Sequence, residues 1–405
     1  MVSVGAGEHA GGADERAYLD HAATTVLRPA ARDAFLEASA VPGNPSSVHT
    51  SGRRARGVLD EALARIAELL GVPRSWLLMT SGGTEADNLA LRAVPLGLRE
   101  KDPVRTAVAV AASDHPAVLA TARSLSAPAG TAGLEVRELP VDGVGALRSD
   151  GIAEALGGGD VGVVSAALVN NETGAVQDIA ALARTARAHG TLVHTDAVQG
   201  VGHVALPSWD DVDLMSLSGH KLGAPVGVGV LVARPEIPFA ALSTGGGQQR
   251  GVRSGTLDAA QAAAFCAALE EVLAEREQES ARLRALASRL RHGLREIDPQ
   301  VRFTLPADAA QSGHIVHAVF PGADSDALLF LLDERGVDSS AGSACSAGVT
   351  QASSVLAAMG VSDRASRGAL RLSLGWTSTA RDVEILLAAL PESLARARAV
   401  GALSL

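Results

Sequence analysis

Short apolar runs alternate with segments of helical periodicity from about residue 28 to residue 270. The runs are rich in Val and Leu and are bounded by turn residues; they are SWLLMTS (75–81), RTAVAVAAS (105–113), VGVVSAALV (161–169), TLVHTDA (191–197), VDLMSLS (212–218) and GVGVLVA (227–233). Between most of them apolar positions recur at helical spacing, as in residues 53–71 and 84–94. Nearly continuous apolar strands that alternate with helices are typical of a sheet buried on both faces. The pattern predicts an α/β fold with a large, mostly parallel sheet between helices.

The pattern changes towards the C-terminus. Residues 258–297 have the spacing of one long helix, and beyond Pro299 strand-like and helical runs alternate over residues 314–320, 325–336, 368–375 and 379–400. We therefore predict a large α/β domain over residues 20–262 and a smaller α+β domain over residues 263–405, with residues 1–19 packing on the smaller one. Residues 339–354 are rich in Ser, Gly and Ala, which predicts an exposed, mobile loop.

Composition narrows the class of protein. The net charge is −10, aromatic residues make up 2% of the chain, and no basic block occurs, which argues against nucleic-acid binding. No apolar run approaches the ~18–20 residues of a membrane span, and the first twenty residues lack the apolar core of a secretion signal. Two cysteines, Cys266 and Cys345, form neither a disulfide framework nor a metal-binding spacing. We predict a cytoplasmic enzyme-sized protein without a metal site and without a membrane partner.

Lysine is almost absent from the chain. It stands at positions 101 and 221 alone, against 33 arginines. Lys101 lies among polar residues before a turn, whereas Lys221 directly follows a predicted strand, between glycines. Ligands of open α/β sheets bind at the carboxyl ends of strands. A partly desolvated amine there can lose its proton and form a Schiff base, which a guanidinium cannot do.

Two further loops at this sheet edge suit the same chemistry. Gly83 and Thr84 lie between a strand and a helix, where backbone N–H groups and a hydroxyl bind phosphate. Asp196 ends another strand, three residues before Gln199. Each loop alone is equally typical of an ordinary helix cap. A phosphate site, a lysine for an aldehyde and a carboxylate for a pyridinium nitrogen together indicate pyridoxal 5′-phosphate chemistry.

The chain resembles the class V aminotransferase family of fold type I pyridoxal-phosphate enzymes, and specifically the cysteine desulfurases. The motifs that carry the resemblance run nearly end to end: YLDHAATT (18–25), GNPSSVHTSGRRAR (43–56), TSGGTEADN (80–88), DHPAVLATA (114–122), VNNETGAVQDI (169–179), HTDAVQGVG (194–202), SLSGHK (216–221), GGGQQRGVRSGT (245–256), GSACSAG (342–348) and LRLSLG (370–375). The resemblance implies a mostly parallel sheet of the seven-stranded type in the large domain.

The resemblance also implies a role for each site residue. Lys221 would hold the cofactor aldehyde, Asp196 the pyridine nitrogen and Gln199 the phenolic oxygen. His115 would stack on the ring and exchange protons with thiol groups. Gly83, Thr84, Ser218 and His220 would surround the phosphate. Thr256 would reach the phosphate of a partner subunit, which implies a homodimer with shared sites.

A cysteine defines the reaction. Cys266 lies among alanines at helical spacing and is predicted to be a core residue. Cys345 lies in the predicted mobile loop, where a free thiol is a liability unless it is used. The setting resembles the long-loop cysteine desulfurases, which implies that Cys345 takes sulfur from L-cysteine as a persulfide, leaving L-alanine. The sulfur would pass to an acceptor protein such as an iron–sulfur scaffold.

Substrate binding needs a partner for the α-carboxylate. Arg371 is predicted to be its bidentate clamp, with Asn171 on the same side; Arg367 is the rival, but lies nearer the loop.

Two departures from the family pattern stand out, Gln249 in place of an acidic residue and Val226 in place of a lysine.

Other functions stay open at this point. A selenocysteine lyase, or a desulfurase dedicated to tRNA or DNA thiolation, would use the same residues. A nicotinamide-dependent oxidoreductase would need a G-x-G-x-x-G turn after the first strand, whereas GVGVL lies late and inside a strand. A scaffold without a cofactor would be colourless.

Overall fold

The computed structural model describes residues 16–126, 133–342 and 353–403. Its strands are β1 (Ala17–Tyr18), β2 (Leu77–Thr80), β3 (Ala107–Ala111), β4 (Glu135–Leu139), β5 (Val161–Ala167), β6 (Leu192–Asp196), β7 (Leu214–Ser218), β8 (Gly229–Ala233), β9 (Arg302–Phe303), β10 (Ile315–Val319), β11 (Val337–Asp338) and β12 (Ala369–Ser373).

The helices are α1 (Pro29–Ser39), α2 (Thr50–Leu70), α3 (Gly83–Asn88), α4 (Val94–Lys101), α5 (Pro116–Ser124), α6 (Ser149–Leu156), α7 (Ile179–Ala188), α8 (Ala259–Ile297), α9 (Ser325–Asp333), α10 (Ser354–Ala358), α11 (Asp363–Ser366) and α12 (Ala380–Leu403). A π-helical turn, Leu89–Ala93, joins α3 to α4, and 3-10 turns lie at Arg74–Trp76, Gly219–Lys221 and Gln249–Gly251.

Within the described residues, seven strands form the central sheet in the order β2–β8–β7–β6–β5–β3–β4. β8 runs antiparallel to both of its neighbours, and every other pair is parallel. One apolar core packs α2, α6, α7 and the start of α8 on the sheet, and a second core packs α3, α4 and α5 on it. Helices on both faces explain the nearly continuous apolar strands, so the predicted large, mostly parallel sheet is confirmed.

One strand of this sheet was not predicted. β4 reads EVREL and exposes Glu135 and Glu138, because it lies at the edge of the sheet and pairs there with β3. A charged edge strand lacks the apolar run that marks the buried ones. The search for apolar runs therefore does not detect this strand.

The C-terminal part has its own sheet and core. β9, β10 and β12 form an antiparallel sheet in the order β12–β10–β9, and β1 pairs in parallel with β11. Ala17 and Leu19 are buried in the same core as the α9 and α12 side chains.

Helix α8 belongs to both cores. Ala262 to Val272 pack with the large sheet, whereas Leu283 to Leu294 pack with the small one. The packing favours a domain division within α8; the division after residue 262 stays a prediction.

Strand register brings the predicted site loops to one place. Asp196 at the end of β6 pairs with Ala167 of β5 on one side and with Ser216 of β7 on the other. Because these parallel strands end level, the segments that follow them meet at one sheet edge, the usual place for a ligand.

Candidate active site

A cavity of about 460 Å³ opens at this edge of the sheet. Among the described residues, every predicted site residue except Thr256 lines its walls, namely Gly83, Thr84, His115, Asn171, Asp196, Gln199, Ser218, His220, Lys221 and Arg371. Residues far apart in sequence therefore share one pocket.

Lys221 ends the short 3-10 turn that follows β7. The turn needs glycine at 219, since a Cβ there would lie 2.7 Å from Val228 Cγ1. Lys221 Nζ donates hydrogen bonds to the carbonyl oxygens of Ala22 and Ala23. Burial, followed by the charge of Arg371, lowers the pKa of Lys221 to about 8. The amine can therefore lose its proton near neutral pH.

Asp196 provides a buried carboxyl at the floor of the cavity. Its Oδ1 accepts a hydrogen bond of 2.9 Å from the Val198 N–H, which fixes the carboxyl at the end of β6. Burial raises the pKa of Asp196, while the Val198 N–H, His115 and Lys221 oppose the rise. A cation placed beside this carboxyl would favour its charged form.

Two more buried carboxyls lie near Asp196, and sequence reasoning missed both. Asp87 lines the cavity from α3, and Asp114 Oδ1 accepts a hydrogen bond of 2.8 Å from the Ala167 N–H. Burial raises the pKa of both groups well above the ordinary value, and the charge of Asp196 raises it further. Both lie inside motifs that carry the family resemblance, TSGGTEADN and DHPAVLATA, and their position in these motifs could have marked them as candidate site residues.

His115 sits at the start of α5 and caps it. The Ala117 N–H donates to His115 Nδ1 over 3.1 Å, so a neutral ring carries its proton on Nε2. Burial lowers the pKa of His115, and Asp196 opposes the shift.

One end of the cavity has small side chains and a close backbone. A Cβ at Gly83 would lie 2.9 Å from Val198 Cγ2, and Gly82 has a φ of +154°. Ser218 is 3% exposed, and His220 Nδ1 lies 3.2 Å from Thr24 Oγ1. Burial lowers the pKa of His220 to about 4, so its ring is neutral at physiological pH. Backbone N–H groups, hydroxyls and this ring suit a phosphate.

Arg371 reaches the cavity from β12. Its guanidinium is 6% exposed and donates to Asp20 Oδ1 over 2.8 Å and to the Asn171 carbonyl oxygen over 2.9 Å. Its Nε is buried without a hydrogen-bond partner among the described residues. Arg367, the rival, is exposed and lines a different groove.

The two adjacent asparagines have different surroundings. Asn170 is buried, and its Oδ1 accepts from the N–H groups of Glu172 and Thr173, which holds the turn together. Asn171 lines the cavity, and its contact with the substrate stays a prediction. The structure thus distinguishes the two residues by where they lie.

Glu172, which the sequence analysis did not single out, lines the same cavity. Its Oε2 accepts a hydrogen bond of 2.5 Å from Ser353 Oγ, and burial raises the pKa of the carboxyl. The predicted loop and its nucleophile Cys345 lie outside the described residues, apart from residues 339–342 and 353–354. Cys266 is buried in α8, and burial raises the pKa of its thiol to about 11, as expected of a core cysteine.

The loop of residues 243–256 does not line the cavity. Thr256 is exposed and is absent from the cavity wall of its own chain. Gln249 lies at the edge of the central sheet, where its amide accepts from the Met79 N–H over 2.6 Å and donates to the Met79 carbonyl over 2.8 Å. This pairing gives a physical account of an amide, rather than an acid, at this position. Val226 is 74% exposed, and nothing in the structure explains it.

Within residues 16–126, 133–342 and 353–403, no group of three or more His, Cys, Asp or Glu side chains is arranged to hold a metal ion. Within the same ranges, each helix is too short or too polar to cross a bilayer.

Solved structures share this architecture. The one described as "NIFS-LIKE PROTEIN" superposes with a TM-score of 0.84 at 30% identity, covering 94% of this chain and 100% of that chain. The one described as "SspA in complex with cysteine" has a TM-score of 0.73 at 27% identity, covering 89% and 99%.

Sequence comparisons agree with the fold. The family described as "Aminotransferase class-V" matches residues 17–386. An "IscS-like cysteine desulfurase" of Mycobacterium tuberculosis is 42% identical over 94% of this chain and 97% of its own length. A "Cysteine desulfurase" of Cereibacter sphaeroides is 38% identical over 95% and 97%. The chain therefore belongs to the class-V aminotransferase family and, within it, to the cysteine desulfurases.

Proposed function

We propose that the chain binds pyridoxal 5′-phosphate in the cavity and removes the sulfur of L-cysteine, forming L-alanine and a persulfide on Cys345. One observation carries the proposal: Lys221, Asp196 and Arg371 face a single cavity that has a glycine-lined end. The similar solved structure, SspA in complex with cysteine, supports the choice of substrate.

The residues fit this cofactor. Gly83 allows the cavity wall to pack closely, since a Cβ there would lie 2.9 Å from Val198 Cγ2, and Ser218, Thr84 and His220 offer polar atoms for a phosphate. Asp196 supplies the carboxylate that a pyridinium nitrogen requires, and Lys221 supplies the primary amine for the aldehyde. When bound, pyridoxal phosphate supplies an aldehyde for the substrate amine and a ring that withdraws electrons from its Cα.

Lys221 is the residue that moves the Cα proton. With a pKa of about 8, the amine of Lys221 is partly neutral at physiological pH and can accept a proton. Its Nζ is held by the carbonyl oxygens of Ala22 and Ala23, which keep it at the cavity wall.

Arg371 orients the substrate. A guanidinium with one face held by Asp20 and the Asn171 carbonyl presents its remaining N–H groups in a fixed direction. A carboxylate bound there would receive charge-assisted hydrogen bonds. Asn171 lies on the same side of the cavity and adds a polar contact.

Cys345 takes the sulfur. Its thiolate would form a bond to the substrate sulfur as the Cβ–S bond breaks, and the electron pair of that bond stays with carbon, which becomes the methyl group of alanine after protonation. His115 Nε2 carries the proton of a neutral ring and is our candidate for exchanging protons with the thiols.

Two partners complete the proposal. Thr256 is exposed and does not line the cavity of its own chain, which supports its contribution to the site of a second copy in a homodimer. The persulfide then passes to an acceptor protein in the cytoplasm, and we propose an iron–sulfur scaffold in that role.

A direct experiment measures both products. The chain loaded with pyridoxal phosphate is treated with L-cysteine; L-alanine is quantified by chromatography and the sulfur on each cysteine by mass spectrometry. In the wild type we expect L-alanine and one extra sulfur atom on Cys345. Cys345→Ser should form neither product, and the control Cys266→Ser should form both as the wild type does. Alanine formation at the wild-type rate by Cys345→Ser would refute the proposal. A faster reaction with selenocysteine would favour the lyase alternative.

A further inference from the structure

The rings of His203 and His314, which have no role in the proposed mechanism, stack on each other behind Gln199. The ring centroids of His203 and His314 lie 3.6 Å apart with planes 9° from parallel. His203 lies in the turn after β6, and His314 precedes β10, so the stack spans the junction of the two cores. A small cavity of about 40 Å³ that both rings line also contacts Gln199 and Lys221. The pair thus borders the active site from behind.

The hydrogen bonds of Gln199 determine which way its amide points. Gln199 Nε2 donates to the Ala22 carbonyl oxygen over 2.7 Å, and Gln199 Oε1 lies 3.3 Å from His314 Nε2. A carbonyl oxygen can only accept, so the NH₂ group must face Ala22 and the amide oxygen must face His314. His314 Nε2 must then carry the hydrogen.

The surroundings of His314 keep its ring neutral. His314 is 1% exposed, and burial lowers its pKa well below the ordinary value, with His203, His21 and Arg371 adding to the effect. A neutral imidazole has one N–H, so Nδ1 is left without a hydrogen. In agreement, His314 Nδ1 has no hydrogen-bond partner within the described residues.

We propose that His314 is a positioning residue for Gln199: by donating from Nε2 to the amide oxygen, it fixes the Gln199 NH₂ group towards Ala22 and the main cavity. An inverted amide would place its oxygen against the Ala22 carbonyl, two acceptors in contact, and its NH₂ against an N–H donor. Lys221 donates to the same Ala22 carbonyl, so the oriented amide lies beside the reacting amine. With pyridoxal phosphate bound, the second N–H of the amide would be available to donate to an oxygen of the cofactor. This step rests on the proposed function.

The first experiment reads the proton position directly and requires no activity. Imidazole-¹⁵N-labelled full-length chain is examined by NMR, and the His314 signals are assigned from the spectrum of His314→Gln. We expect the neutral Nε2–H form of His314. A ring with its proton on Nδ1 would overturn the inference, whether or not the protein binds pyridoxal phosphate.

The second experiment follows the visible absorbance of the pyridoxal-phosphate-loaded chain against pH. His314→Phe keeps a flat ring to stack on His203 but cannot donate to Gln199. The Gln199 amide is then no longer held with its N–H towards the cofactor oxygen, and the loss of that donor disfavours the deprotonated oxygen. We therefore expect the pH midpoint of the absorbance change to rise by roughly half to one pH unit. His314→Gln, which retains an N–H donor, should restore the midpoint. The matched control His203→Phe keeps the stack and should leave it unchanged.

The outcomes separate the two proposals. A wild-type chain that neither develops colour nor forms alanine contradicts the proposed function. A coloured, active wild type with an unshifted His314→Phe midpoint contradicts the positioning role of His314. If His314→Phe does not fold, the tautomer of the wild-type ring decides the question.

Discussion

The amine of Lys221 illustrates how single residues acquire their chemistry from burial. Its Nζ contacts two backbone carbonyls, which act as neutral acceptors, and Arg371 adds a like charge. Asp20 and Asp196 favour the charged amine, but desolvation outweighs them, so the pKa falls from 10.5 to about 8. An arginine at this position would stay charged.

The titration of Lys221 can be measured in the chain without cofactor. The chain has two lysines, so acylation of each can be followed by peptide mass spectrometry across pH. We expect the rate at Lys221 to rise with pH and reach half its maximum near pH 8, because the neutral amine is the nucleophile and its pKa is lowered. The ordinary pKa of a lysine side chain is 10.5. A midpoint near that value would show that burial does not lower the pKa.

Residue types that follow strand ends were predictable, and those that act through their backbone were not. Lys221 and Asp196 follow apolar runs and were found from the sequence. The carbonyl oxygens of Ala22 and Ala23 hold Lys221, but alanine has no side-chain signal for that role. Asp87 lies within a helical segment, where a carboxylate usually faces solvent, yet here it is 1% exposed.

At the scale of elements, burial decided which strands could be predicted. The inner strands of the central sheet have continuous apolar sequences, because helices cover both faces. The edge strand β4 is charged and escaped detection. At the other edge, the amide of Gln249 forms two hydrogen bonds with the backbone of Met79 in β2. The two residues are 170 positions apart, so no local sequence pattern reveals this interaction.

The Gln249 pairing gives a stability prediction. Gln249→Glu keeps an acceptor for the Met79 N–H but removes the donor to the Met79 carbonyl, so we expect a loss of about 1–2 kcal/mol in the free energy of unfolding. Denaturant unfolding followed by circular dichroism measures it. Gln248→Glu is the matched control, because Gln248 Oε1 accepts from the Gly255 N–H and a carboxylate can do the same. Equal stability of both variants would show that the amide pairing contributes nothing.

At the scale of the whole molecule, the site is assembled from both cores. Lys221 and Asp196 come from the large sheet, Arg371 from the small one, and α8 packs in both cores. Their shared cavity means that a shift between the cores would change the distance between the clamp and the amine. The sequence predicted both sheets, but it could not show that α8 is divided between the cores, since helical periodicity continues through it without a break.

If the protein is a homodimer with shared sites, two chains that are each defective can restore activity in a mixed dimer, which is impossible for a monomer. Lys221→Ala and Thr256→Ala chains are each expected to be defective in desulfuration. If Thr256 serves the partner's site, a mixed dimer contains one site with both changes and one with neither. The second site combines an intact Lys221 from one chain with an intact Thr256 from the other, so mixed dimers isolated with two different tags should form alanine at about half the wild-type rate. If Thr256 instead served its own chain, both sites of the mixed dimer would carry a defect. In that case alanine formation would stay at the level of the Thr256→Ala chain or below it, and the assignment of Thr256 to a partner would be wrong.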